Sequence, residues 1–491
     1  MKKIFLNIIF NIIIISVFTS CTTHKKYEST WESLQTYKTP EWFRDAKFGI
    51  YFHWGVFSVP AYKTEWYSHW MYVPGNDINT YHTEQYGPLN KFGYKDFIPM
   101  FTAKKFDAEK WADLFVQAGA RFAGPVAEHA DGFAMWDSKL TTWDAMDMGP
   151  QRDVVGELEK AIRKRDLKFV TTFHHQWLYA WYPTLDKNTD SSNPSYEDLY
   201  GPPAPTSAFD AAWNDSTVRP DDKFNQRWLN RAVEVVDKYH PDLVYFDSKL
   251  FIIKEKYRIA FLQHYYNSAG QWGKQVVCTY KSEDFAKGAG VLDLERARMG
   301  EKRDFPWLTD DSIDWNSWCN VKEPDYKSTD RLIDYLVDVV SKNGCVMLNI
   351  TPTAEGEIPQ PVQERLLEIG KWLAINGDAI YKTRPWKIYG EGPTQVVEGF
   401  LNEHENKDNV AEDIRFTTKG ETLFAITLAV PEKSVKIKSL GTNAGLLERA
   451  IRSVSLLGYS GELEWHLETD GLLIKIPDEK PCDFALAIEI K

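Results

Sequence analysis

The sequence predicts an α/β chain: a (β/α)8-like barrel followed by a C-terminal antiparallel β-sandwich. Two patterns carry this expectation. Between residues 35 and 385, short runs of β-branched and aromatic residues alternate with segments of helical periodicity, the pattern of a parallel sheet with crossover helices. Over 386–491 the helical pattern stops, and alternating strands joined by Gly and Asp turns take its place. A length of 491 residues suits a barrel plus one accessory unit.

Residues 1–20 stand apart. Lys2 and Lys3 precede an apolar run from Ile4 to Phe18, broken by Asn7 and Asn11. The run is too short for a spanning helix of ~20 residues and fits a secretory signal peptide. Small residues before Cys21, in "FTSC", resemble a bacterial lipobox. The expectation is an exported lipoprotein of the periplasm or outer-membrane surface, acylated at Cys21 and touching a membrane only through that anchor. Ordinary signal cleavage with an incidental cysteine is the alternative.

The barrel elements follow in order. "KFGIYFHW" (47–54) reads as the first strand, and "DAEKWADLFVQAGA" (107–120) as a helix with Trp111, Phe115 and Ala118 on one face. Then come "RFAGPVAEH" (121–129), a helix over 152–166, and "LKFVTTFHH" (167–175). A helix near 223–239 precedes "PDLVYFD" (241–247), and one over 257–270 precedes "QVVCTY" (275–280). "GVLDLER" (290–296) is the sixth strand, and a seventh is expected near 312–318. A helix over 328–342, "CVMLNI" (345–350) and a helix over 360–376 close the series. An open doubly wound sheet would show the same alternation, but no Gly-rich phosphate loop follows any strand. A long insertion over 186–216 follows the third strand.

Composition excludes several classes. A net charge of −12 without a basic stripe argues against a nucleic-acid partner. Cys278, Cys319, Cys345 and Cys482 lie far apart with no CxxC spacing, so neither a zinc ribbon nor a disulfide framework is expected. The 19 Trp, 24 Tyr and 27 Phe tilt towards a carbohydrate ligand, because flat rings match the C–H faces of sugars.

In a barrel of this kind the strand ends face the active-site mouth. The predicted strands end in His53, Glu128 with His129, His174 with His175, Asp247, and Glu295 with Arg296. Half-buried polar groups are costly unless paired, so five such endings point to one converged site. Two chemistries fit: glycoside hydrolysis by two carboxylates, or a metal-dependent hydrolase. His174 and His175 are adjacent and point to opposite faces, and no HxH or HExxH occurs. No metal or cofactor is expected.

Four segments carry a resemblance: "AKFGIYFHWGVFSVPAYKTEWYSHWM" (46–71), "GARFAGPVAEHADGFAMWDS" (119–138), "PDLVYFD" (241–247) and "LVDVVSKNGCVMLNITPTAEGEIP" (336–359). Together they resemble α-L-fucosidases of glycoside hydrolase family 29. The resemblance implies a retaining, exo-acting hydrolase that removes terminal α-L-fucose from fucosylated oligo- or polysaccharides by double displacement. Asp247 then matches the nucleophile. His53, Glu65, Trp66, His129 and, more loosely, His174 match sugar contacts, with Trp66 near the C5-methyl side; Arg296 and Trp318 join this set. Glu295 is favoured as acid/base, with Glu301 as the alternative. Many relatives have a second histidine where this chain has Ala130, which leaves the glycone open. A sulfated fucose or L-galactose glycosidase, and a glycan-binding surface lipoprotein without turnover, are the rival readings. Oligomeric state is not legible.

Overall fold

The computed structural model describes residues 25–491; the signal peptide and Cys21 expectations lie outside the described residues. Eight parallel strands close into a barrel in sequence order. They are β1 (Phe48–Phe52), β2 (Phe122–Glu128), β3 (Lys168–Phe173), β4 (Leu243–Phe246), β5 (Val277–Tyr280), β6 (Val291–Asp293), β7 (Trp307–Ser312) and β8 (Gly344–Ile350). Closure is seen at β1, where Ile50 pairs with Ala123 on one side and Leu348 on the other.

Six long helices accompany the strands: α1 (Ala108–Gln117), α2 (Val154–Arg163), α3 (Asp222–Tyr239), α4 (Glu255–Gln271), α5 (Thr329–Ser341) and α6 (Gln360–Asn376). Local chemistry sets their starts. Asp107, Asp153, Asp221 and Ser328 each accept a backbone N–H of the first turn, a cap worth about 1 kcal/mol. Trp111, Phe115 and Ala118 are all buried, as their spacing predicts.

The seventh strand is a correction. It lies at Trp307–Ser312, not at 312–318. The later segment is a turn in which Asp314 Oδ1 accepts N–H bonds from Asn316 and Ser317, both at 2.8 Å, a side-chain mimic of a backbone turn. Asp310 and Asp311 hid the true strand from a reading based on apolar runs.

Beyond α6 the chain forms antiparallel sheets. β9 (Arg384–Glu391), β10 (Ile414–Lys419), β11 (Thr422–Thr427), β13 (Val454–Leu456) and β16 (Leu486–Ile490) make a five-stranded sheet. β12 (Ser434–Ile437), β14 (Trp465–Glu468) and β15 (Gly471–Lys475) make a three-stranded one. Trp386, Phe416, Ile437, Leu472 and Ile488 share a separate apolar core there. Arg415 on β10 pairs with buried Asp338 on α5 at 2.6 Å, which ties this module to the barrel.

Candidate active site

Strand alternation sorts the side chains at the C-terminal mouth, because residues two apart share a face. Tyr51 with His53, Tyr245 with Asp247, Thr279 with Lys281, and Asp293 with Glu295 are such pairs. Contacts across the barrel show which face is inward: Tyr51 OH donates to Asp310 Oδ2 at 2.7 Å and Tyr245 OH to the same oxygen at 3.2 Å. Glu128 and His175 belong to the other face. Glu128 Oε1 takes His175 Nδ1 at 2.6 Å and Arg231 Nη1 at 2.7 Å, all three groups buried. Burial alone would raise the Glu128 carboxyl, but Arg231 and His175 hold it below the ordinary range. Glu128 thus braces the barrel wall, and His129 faces the site.

Lys281 is the hub of the mouth. Its ammonium, 2% exposed, lies 2.6 Å from Glu295 Oε2, 3.4 Å from Asp293 Oδ2, 3.4 Å from Asp310 Oδ1 and 3.5 Å from Asp247 Oδ1. Contacts of 2.6 and 3.5 Å to one nitrogen bound the separation of those Glu295 and Asp247 oxygens at about 6 Å, short of the roughly 6.5–9.5 Å that inverting glycosidases need for a water between their carboxylates. Asp247 Oδ2 also accepts Trp177 Nε1 at 2.8 Å. Burial pushes Glu295 up to about 7 and raises Asp247, in both cases against the pull of Lys281. Burial and nearby Asp310 hold the Asp293 carboxyl well above its usual range. Burial disfavours the lysine charge, but the carboxylates around it win and keep the ammonium protonated.

The opposite side is imidazole. His53, His129 and His174 come from the ends of β1, β2 and β3, with ring centroids 4.6–5.3 Å apart. Asn349 at the end of β8 places its Oδ1 2.9 Å from both His53 Nδ1 and the His53 backbone N–H, which directs Nε2 into the mouth. Burial lowers His53 to about 4 and the other two well below their usual value. Neutral imidazoles each offer one donor and one acceptor, as sugar hydroxyls require. His129 Nδ1 and His174 Nδ1 have no partner among the described residues. The three rings also present nitrogens within 4.8 Å of one another, a spacing open to a divalent cation. The sequence argument against a metal weighed only neighbouring histidines and local motifs, and could not see a cluster drawn from three strands.

Aromatic rings complete the rim. Trp66 lies 5.0 Å from Trp177 and 4.9 Å from Trp181. Trp318 lies 5.4 Å from His53, and Glu65 Oε2 accepts the Trp318 backbone N–H at 3.2 Å. The Arg296 guanidinium stands 4.5 Å over the Trp318 ring and donates to the Trp315 carbonyl, so it supports this wall. Ala130 is buried. Of the two acid/base candidates, Glu295 bonds Lys281, whereas Glu301 is exposed in the loop between β6 and β7.

Sequence reasoning missed Lys281, Asp293, Asp310, Tyr51, Tyr245, Asn349 and Trp177. The signal for several was present: Tyr51, Tyr245 and Asp293 sit two residues before His53, Asp247 and Glu295, on the same faces, and Lys281 directly follows the fifth strand.

The family profile described as Alpha-L-fucosidase matches residues 15–378, and that described as Alpha-L-fucosidase C-terminal domain matches 406–491. Tissue α-L-fucosidase of Homo sapiens is 31% identical over 492 residues, spanning 95% of this chain and 92% of its own. Human plasma α-L-fucosidase is 31% identical over 497 residues, spanning 96% and 94%. The crystal structure of Thermotoga maritima α-fucosidase in complex with fucose superposes with a TM-score of 0.74 at 28% identity, covering 95% of this chain and 100% of that one. The chain belongs to the α-L-fucosidases, glycoside hydrolase family 29.

Proposed function

We propose that the protein is a retaining, exo-acting α-L-fucosidase working by double displacement. The supporting observation is the Asp247–Lys281–Glu295 arrangement, two carboxylates held on one ammonium within about 6 Å where a direct nucleophile is expected. Asp247 attacks C1 while Glu295 gives its proton to the departing glycosidic oxygen, and the C1–O bond breaks. Glu295 then takes a proton from water, whose oxygen attacks C1 and releases Asp247, so the anomer is restored. His53, His129, His174 and Glu65 hydrogen-bond fucose hydroxyls, and Trp66 packs on the sugar. Each histidine is 4% exposed, a depth that suits a single terminal residue. Proton NMR of the first-formed product tests the mechanism: α-fucose is expected, and initial β-fucose would overturn it.

The signal-like leader and lipobox at Cys21 support an exported, lipid-anchored enzyme that meets its glycan outside the inner membrane. Cys21→Ser should release it from the membrane fraction; unchanged fractionation refutes the anchor.

A further inference from the structure

A loop of the C-terminal module reaches into the barrel mouth at the proposed acid/base. The Leu401 N–H donates to the Glu295 carbonyl at 3.0 Å, and the Glu403 N–H donates to the Arg296 carbonyl at 2.9 Å. Glu403 is locked beneath them. Arg298 bonds both of its oxygens at 2.7 Å, and Arg331 Nη2 bonds Oε1 at 2.7 Å, with all three side chains buried. Breaking such a buried, hydrogen-bonded pair is strongly destabilising, so the loop is held rigidly.

That rigid loop presents an apolar edge. Phe400 is 50% exposed, and Val397 and Leu401 on the same loop are 40% and 41% exposed. The Phe400 ring lies 5.8 Å from the Lys281 ammonium, which itself touches Glu295 at 2.6 Å. Hydration opposes holding a large ring open next to a charged cluster, and the arrangement suits a ligand that is apolar on one face and polar at its edges. In a retaining glycosidase the acid/base sits over the glycosidic oxygen, so the group beyond Glu295 is the leaving sugar.

We propose that Phe400, flanked by Val397 and Leu401, forms the wall of a leaving-group subsite that stacks on the C–H face of the sugar next to fucose. The module fused to the barrel is then a specificity element of the active site. This rests on the retaining fucosidase reading, with Glu295 over the glycosidic oxygen.

Two substrates separate stacking from acid catalysis. A fucosyl disaccharide and methyl α-L-fucoside both have poor alkoxide leaving groups and need the acid equally, but only the disaccharide offers a second ring. In Phe400→Ala the ratio of kcat/KM for the disaccharide over the methyl fucoside should fall about tenfold, equivalent to about 1.4 kcal/mol. Phe400→Trp should restore it. An equal fall on both substrates would show that Phe400 only supports Glu295, and an unchanged ratio would remove it from the subsite; either overturns the proposal. If the wild-type protein turns over no fucoside at all, including activated aryl fucosides, the parent reading fails and this one with it.

Discussion

Replacing Lys281 with methionine isolates the electrostatics of the site. The ammonium is 2% exposed, lies 3.5 Å from Asp247 and 2.6 Å from Glu295, and favours the ionised form of both. At an effective dielectric of ~20, unit charges 4 Å apart interact by about 4 kcal/mol, and about 1.4 kcal/mol corresponds to one pKa unit. The ceiling on the shift is therefore roughly 3 units, and sharing of the change among four carboxylates reduces it to about 1–2. The sign follows from the proposed roles. Asp247 must be ionised to attack, so a higher pKa moves the acid limb of kcat/KM upwards. Glu295 must be protonated to donate, so its higher pKa moves the basic limb upwards as well. Lys281→Met should shift the whole bell to higher pH, with activity lost near neutrality and partly regained above it, whereas Lys281→Arg should keep the wild-type profile. The assay is kcat/KM against pH on an aryl α-L-fucoside, with circular dichroism to verify folding. A bell that stays in place or moves down would refute the reasoning.

Asp247→Ala should lower kcat by several orders of magnitude, because no other group can form the covalent intermediate; near-normal turnover would remove Asp247 from that role. With Glu295 held up to about 7 by burial, wild-type kcat/KM should fall as pH rises through about 7. Glu295→Ala should abolish that limb and slow poor leaving groups far more than activated ones, while Glu301→Ala behaves as wild type; the reverse pattern would exchange the two. Because His53, His129 and His174 place their nitrogens within 4.8 Å, zinc should inhibit competitively with fucoside, and noncompetitive inhibition would put the ion elsewhere. Ala130→His should improve kcat/KM on plain fucosides and lose any activity on substituted ones, with parallel changes defeating a role for Ala130 in glycone choice.

What the sequence made legible follows from where its information is local. Strand and helix runs are periodic, so the barrel and the β-rich C-terminal module could be read directly, and histidines and carboxylates at strand ends stood out because polar groups there need a reason. β7 was misplaced because Asp310 and Asp311 break an apolar run while serving the site and the Lys327 ion pair. Lys281 was passed over because a lysine after a strand looks like solvent-facing punctuation; only closure of the barrel surrounds it with four acids. The path from Phe400 to Glu295 spans more than a hundred residues of sequence and has no local signature at all.

The lysine is outnumbered, and that bears on the proposed acid. Four carboxylates share one ammonium, and adjacent acids so placed resist ionising together at neutral pH. The cluster divides its charge unevenly: Lys281, helped by the hydroxyls of Tyr51 and Tyr245, holds Asp310 below its usual range despite burial, while burial and the neighbouring Asp310 push Asp293 well above. Glu295, partnered only by Lys281 among these charges, is left between them at about 7. Burial thus poises the proposed general acid near neutrality against the pull of Lys281. Neighbouring Asp247 and Asp310 add to the effect of burial and Lys281 opposes it, while the tyrosines on β1 and β4 help Asp310 to keep its charge.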